Sequence, residues 1–261
     1  MELLMQEFDR LIEIMQRVKT ECPWDKQQTH ESIRQFLLEE TYEVIEAIDI
    51  QSDHSLLEEL GDLQCQVIFH SLLAEERGAF TIKDVCTVIA DKLVRRHPHV
   101  FGTVSVKNSD EVLKNWEHIK LSEGKKQSVL DGVPKDLPAL TKAHRIQSKA
   151  GHVGFDWNTA EQVMDKINEE LKEFQCSLVR NDKDAMEEEL GDVLFSIVNI
   201  ARKAEINPED ALRRTINKFI KRFHFIEEKL KLQGIELKAA TLEQMDELWN
   251  EAKKVNQKRQ L

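Results

Sequence analysis

Apolar residues recur every three or four positions through most of this chain, which is the period of helices with one face turned inward. The period predicts helices over about Glu2–Lys19, Thr29–Ile50, His54–Arg77, Ile82–Arg96 and Asp110–Leu121. It resumes over about Pro138–Ala150, Asn158–Val179, Asp182–Lys203, Pro208–Leu232 and Thr241–Val255. Between the two sets, Ser122–Leu137 carries Gly124, Gly132 and Pro134 beside Lys125 and Lys126, breaks the period and reads as a linker. Strand signals are thin, with one tyrosine and no continuous Val/Ile run. The expected fold is therefore all-α, with domains at 1–122 and 138–261 joined by residues 123–137.

The halves repeat each other. Glu39, Glu40, Glu43, Glu59, Gly61 and Asp62 recur as Glu169, Glu170, Glu173, Glu189, Gly191 and Asp192, at a constant spacing of 130 positions. Flanking landmarks follow with small insertions and deletions. Trp24-Asp25 is echoed by Phe155-Asp156, Lys92 to Arg96 by Lys218 to Arg222, and Trp116 with Lys120 by Trp249 with Lys253. A single long-period repeat of this kind marks a tandem duplicated domain, not a short-period solenoid.

Each copy reads E-E-x-x-E, fifteen residues, then E-L-G-D. Glu40 and Glu43 lie one turn apart on one helical face, and Glu59 and Asp62 do the same on the next helix. Two antiparallel helices joined near Gln51-Ser52-Asp53-His54, or near Asn181-Asp182, bring four carboxylates together. Leu37, Leu38, Val44, Leu60 and Leu63 predict that this acidic face borders the core. Four facing carboxylates repel, so the arrangement asks for a cation. Ligands that are all oxygen favour Mg²⁺ or Mn²⁺, and neither copy has the Glu-x-x-His of di-iron bundles. A single E-x-x-E is usually a solvated acidic face. Recurrence of five acids and a glycine shifts the balance towards a site, although a duplicated scaffold preserves them too.

Basic and aromatic residues form a second set. Lys92, Arg95 and Arg96 end a helix in the first copy, and Lys218, Lys221 and Arg222 occupy the matching helix. They suit either phosphate contacts or a helix C-terminus. Trp116 with Lys120, and Trp249 with Lys253, offer a base stack and a phosphate contact, or equally a core tryptophan beside a snorkelling lysine. No P-loop, G-x-G-x-x-G or nucleophile elbow occurs, so any phosphate chemistry is expected to depend on metal held by helices.

The net charge of −11 argues against coating nucleic acid, while a nucleotide bridged by Mg²⁺ remains compatible. Cys22, Cys65, Cys86 and Cys176 form no C-x-x-C pair, and are expected to be ordinary buried or half-buried thiols in a reducing compartment. Residues 1–15 place acids where a signal peptide carries bases, and no stretch approaches the ~20 apolar residues of a membrane span. The expected location is cytoplasmic, away from membranes.

The paired acidic motifs, the RRHPHVFG run at Arg95–Gly102 and the LPAL…KAGHVGFDW run from Leu137 to Trp157 resemble the MazG family of nucleoside triphosphate pyrophosphohydrolases, over nearly the whole chain. The resemblance implies four-helix-bundle-type domains paired in a homodimer, and hydrolysis of (d)NTPs to (d)NMP and pyrophosphate with Mg²⁺ and broad base specificity. It implies metal ligands at Glu170, Glu173, Glu189 and Asp192, with counterparts at Glu40, Glu43, Glu59 and Asp62. Glu169 would hold or activate the attacking water. Lys218, Lys221, Arg222, Trp249 and Lys253 would bind nucleotide, matched by Arg95, Arg96, Trp116 and Lys120 in the first copy. A helical module that binds nucleotides or a partner with little turnover is the alternative that the acidic pattern leaves open.

Overall fold

The computed structural model describes residues 2–258 apart from 110, 113, 114, 117, 118 and 120–127. The helix expected over Asp110–Leu121 and the beginning of the 123–137 linker therefore lie largely outside the described residues. The chain divides into two compact units, residues 1–124 and 125–261. No strand occurs among the described residues, and the fold is all-α with the same helical domain twice.

The first unit contains α1 (Glu2–Glu21), α2 (His30–Asp49), α3 (Asp53–Glu76), α4 (Ile82–Arg96) and the short α5 (Pro98–Phe101). The second contains α6 (Ala139–His152), α7 (Ala160–Arg180), α8 (Lys183–Lys203), α9 (Pro208–Leu232) and α10 (Leu242–Lys258). α5 was not visible in the periodicity: it is one turn started by Pro98, too short for an apolar period to register.

Helix starts follow local chemistry. Thr29, Thr81 and Thr159 open α2, α4 and α7 with reciprocal capping boxes to Ser32, Asp84 and Gln162. Asp182 caps α8, and Asn207 caps α9 ahead of Pro208 at its first turn. Removing the Thr159 hydroxyl in Thr159→Ala should cost about 1 kcal/mol of unfolding free energy. A urea midpoint unchanged from the native chain would contradict that assignment.

The two acidic hairpins, α2–α3 and α7–α8, are the most extensive helix pairs of their units. Each reverses through a left-handed residue at the same repeat position, Gln51 (φ 56) and Asn181 (φ 54). Asparagine tolerates that conformation and glutamine does so poorly. Gln51→Gly is therefore expected to stabilise the first unit by about 0.5–1 kcal/mol, measured by denaturant unfolding.

In the first unit α1 and α4 pack on α3, and Ile33, Phe69 and Leu73 form a core with Met15 and Phe36 against it. In the second unit α6 packs on α8 and α9, and α10 on α9. Ile226, Leu230 and Leu248 are its second core, with Met245 and Trp249 against them. Each fully buried Ile or Leu contributes about 1.5–3 kcal/mol.

The first unit also holds a histidine chain without a counterpart in the second. Arg77 Nη2 donates to His30 Nε2 at 2.9 Å, so His30 Nδ1 carries a proton and donates to His70 Nδ1 at 2.8 Å. This leaves the buried Nε2–H of His70 without a partner. Burial, then the neighbouring His30, holds His70 below its ordinary 6.5. Because unfolded His70 binds its proton more readily, the stability it contributes is present above pH 6.5 and lost as the pH falls below it.

Candidate active site

α2 and α3 place oxygens of Glu40, Glu43 and Glu59 within 4.8 Å of one another, and α7 and α8 do the same for Glu170, Glu173 and Glu189. The spacing explains this: two i, i+3 pairs on antiparallel helices meet when the turn lies midway between them. Both groups consist of oxygen donors only, on fixed helical backbones, which suits a hard divalent cation. Burial pushes the Glu40 carboxyl up, helped by the charges of Asp62, Glu43 and Glu59. Glu59 rises through burial and then Glu43, and Glu173 through burial and then Glu189 and Glu170. These acids repel in a manner that a bound cation relieves. Asp62 contributes through its field on Glu40, and Asp192 stands with Glu170 in the wall of a cavity.

The acidic face of the first copy borders the core in part: Leu37, Val44 and Leu63 are half-buried beside it, while two of its aliphatic neighbours face outward. Leu38 is 57% exposed and Leu60 is 49% exposed. An apolar helical position shows that a surface is meant to be covered, not that its own unit covers it. In the second copy the expectation holds better, since Glu170 is only 5% exposed.

The copies differ one turn before the first acid of each group. Lys166 reaches Glu170 at 2.8 Å and Glu169 at 2.9 Å, and these two bonds raise its ammonium well above the ordinary value. The matching position in the first copy is Phe36, which faces Trp24 with centroids 6.1 Å apart. Lys166 escaped the sequence reading because it has no echo in the repeat; its place one turn before Glu170 was the available signal. Glu169, by contrast, has an exposed side chain held by Lys166 and stands outside the three-acid group.

Among the predicted nucleotide contacts, α9 carries Lys218 and Lys221 exposed, and lays the Arg222 guanidinium 5.3 Å from the centroid of Trp249 on α10. Phe219 approaches the same ring at 5.1 Å, so Trp249 is tied into the α9–α10 core, and Lys253 bonds Asn250 at 3.1 Å. The first copy repeats the device: Arg96 lies 5.5 Å from the Trp116 centroid and His97 meets that ring edge-on at 4.8 Å. Arg95 is exposed at the end of α4, and Lys120 lies outside the described residues. None of Lys218, Lys221, Arg222, Trp249 and Lys253 lines the cavity beside Glu170.

That cavity, about 590 Å³, lies between α6, the loop 153–159 and α8, with Lys166, Glu170 and Asp192 on one side. Its loop wall is clamped. Arg202 Nη1 and Lys203 Nζ bond Asp156 Oδ2 at 3.1 and 2.8 Å, and Lys203 also reaches the Trp157 carbonyl. Burial alone would raise the Asp156 carboxyl, but the bonds from Arg202 and Lys203 overcome it and hold the group at about 2. A Cβ on Gly151 would meet Asp156 Oδ2 at 3.3 Å and Arg202 Nη1 at 3.4 Å, so the clamp sits close against α6. Residues of the GFDW run thus position a wall of the site.

All four cysteines are free; Cys22 and Cys65 are half-buried, whereas Cys86 and Cys176 are exposed, unlike the buried or half-buried thiols expected. No helix among the described residues is long and apolar enough to cross a membrane.

Comparison with known proteins places this geometry in a context. Residues 28–101 and 158–225, which hold the two acidic hairpins, match the MazG nucleotide pyrophosphohydrolase domain. The chain is 47% identical over 250 residues to the nucleoside triphosphate pyrophosphohydrolase/pyrophosphatase MazG of Thermotoga maritima, covering 94% of this chain and 95% of that protein. It is 44% identical over 258 residues to the nucleoside triphosphate pyrophosphohydrolase of Escherichia coli (strain K12), covering 96% and 98%. A shorter match, 40% over 154 residues, covers 57% of this chain and 47% of the nucleoside triphosphate pyrophosphohydrolase of Mycobacterium tuberculosis.

Proposed function

We propose that this chain, which belongs to the MazG nucleotide pyrophosphohydrolase family, hydrolyses nucleoside triphosphates to the monophosphate and pyrophosphate with Mg²⁺ as its cofactor and Mn²⁺ as a substitute. The observation that carries the reading is the paired group of three carboxylates, built twice by the same hairpin. Bound there, Mg²⁺ would neutralise phosphate oxygens and make water more acidic.

The remaining work belongs to the chain. Glu170, Glu173, Glu189 and Asp192 would hold the metal, which would supply positive charge against the substrate's phosphates. Glu169, one residue before Glu170 and held by Lys166, orients the attacking water and takes its proton. Lys218, Lys221, Arg222 and Lys253 bind the leaving pyrophosphate; α9 packs on α8, the helix that carries Glu189 and Asp192. Helix α6 and the 153–159 loop line a cavity with Glu170 and Asp192 in the second copy, and that copy carries the turnover. Glu40, Glu43, Glu59 and Asp62 form a second metal site that contributes less.

The exposed apolar rows Leu190, Leu194 and Ile197 on α8, and Leu212, Ile216 and Phe219 on α9, support a homodimer in which these faces are covered. The protein acts in the cytoplasm on free nucleotides, without stable binding to nucleic acid. EDTA should reduce pyrophosphate release to background, and excess Mg²⁺ should restore it. Full turnover in EDTA would overturn the metal assignment. Lys218→Ala should raise KM about 10-fold with a smaller change in kcat, as expected for one lost charge-assisted contact of ~1.5 kcal/mol.

A further inference from the structure

Part of the stretch that the sequence reads as a linker is built into the second unit. Residues 128–131 close into a turn: Ser128 N–H donates to Asp131 Oδ2 at 3.0 Å, Leu130 N–H to Ser128 Oγ at 3.2 Å, and Asp131 N–H to the Ser128 carbonyl at 3.1 Å. Gly132 follows in the left-handed region (φ 80), where a side chain would be strained. Helix α6 holds this stretch at two points. Lys149 Nζ donates to the carbonyls of Val129 and Asp131 at 3.1 and 3.0 Å, and Lys142 Nζ donates to the Lys135 carbonyl at 3.1 Å. Two helical turns separate the lysines, so they stand on one side of α6, about 10 Å apart. The turn carries Leu130, which lines the cavity with Ile146 and Ala150 of α6 and is still 44% exposed, so apolar surface remains open beside the cavity. Ordering such a stretch costs conformational entropy, which a mere connection has no need to spend.

The first copy uses the matching lysine differently. At the spacing of 130, Lys149 answers Lys19, which is buried and reaches Glu76 Oε1 on α3 at 2.9 Å. The place of Glu76 is taken by Ile206 in the second copy, and there the lysine is directed to main-chain carbonyls. Resting on the pyrophosphohydrolase reading above, we propose that residues 128–131 are a fixed strap of the second site, with Leu130 against the bound nucleotide and Lys149 as the positioning residue that holds the strap there. Lys149 acts through the strap and touches no reacting atom. The segment that joins the two copies is then part of the binding machinery of the second, which has no equivalent ahead of the first.

The test is steady-state pyrophosphate release with Mg²⁺, on the best substrate among ATP, GTP, CTP and UTP, with kcat and KM taken separately. It compares the full chain with Leu130→Ala, Lys149→Met, Lys149→Arg and the double variant Leu130→Ala/Lys149→Met. Leu130→Ala and Lys149→Met should each raise KM about 5-fold and leave kcat within about 2-fold, the pattern of lost binding rather than lost chemistry. Because Lys149 acts through the strap, the double variant should also stand at about 5-fold, rather than at the ~25-fold of independent contacts. Lys149→Arg keeps the charge and donors for both carbonyls, and its KM should stay within about 2-fold of native. Three results would overturn the assignment: an unchanged KM in Leu130→Ala, effects that multiply in the double variant, or a loss confined to kcat in a Lys149→Met chain of native melting temperature. If Lys149→Met does not fold, Gly132→Val, which strains the left-handed residue beside the turn, takes its place in the same cycle. Absence of turnover by the native chain on all four triphosphates would instead overturn the reaction on which the inference rests.

Discussion

Glu173→Ala is expected to lower pyrophosphate release about 100-fold or more, the scale reached when a group that stabilises developing charge is removed from an enzyme. Glu173 shares its site with Glu170 and Glu189, whose oxygens lie within 4.8 Å. Glu43→Ala removes the equivalent oxygen from the first copy. It should leave most of the turnover intact, since Phe36 stands where the second copy has Lys166. The measurement is steady-state pyrophosphate release by both variants at saturating Mg²⁺. Equal losses would assign the reaction to both hairpins, and the reverse order would transfer it to the first. Relief of the repulsion that raises the Glu173 carboxyl should leave Glu173→Ala no less stable than the native chain, so its lost activity is not a folding defect.

Asp156→Asn should cost the second unit about 2 kcal/mol. Breaking one side of a buried ion pair costs about 3–5 kcal/mol, and the side chains here keep partial access to water at 23% for Asp156, 14% for Arg202 and 19% for Lys203. With a urea m-value near 2 kcal/mol/M, the transition should move down by about 1 M with its slope unchanged. The acid behaviour has a definite sign. Folded Asp156 titrates at about 2 and the free carboxyl at 3.8, so the stabilisation is full above pH 3.8 and disappears as the pH falls from 3.8 towards 2. In the asparagine variant this part of the acid sensitivity should be absent. The same variant should raise KM, because the loop it releases forms a wall of the cavity.

Helices with strong amphipathic periods were legible from the sequence to within about three residues, and α4 and α9 begin and end where the pattern places them. So was the gathering of the acids, since i, i+3 spacing and a midway turn determine it. What the pattern lacked was everything that has no echo between copies. Lys166 is answered by Phe36, and residues 128–131 read as linker. Their meaning depends on what the helices bring beside them, and no spacing rule contains that. The Trp249 ring illustrates another limit: a tryptophan one turn from a lysine fits a base stack or a core, and the contact with Arg222 and Phe219 decides for the core. Leu38 and Leu60 show the third, because an apolar position records that water is unwelcome without saying which surface excludes it.

The central claim is that the α7–α8 carboxylates direct water to the α-phosphorus, so that pyrophosphate leaves intact. It is tested most directly by following ATP with the full-length chain and Mg²⁺ by ³¹P NMR. The account predicts AMP and pyrophosphate in equal amounts from the first turnovers, with no ADP, and none of this signal in Glu173→Ala. Appearance of ADP with inorganic phosphate, or no product at all with Mg²⁺ or Mn²⁺, would contradict it.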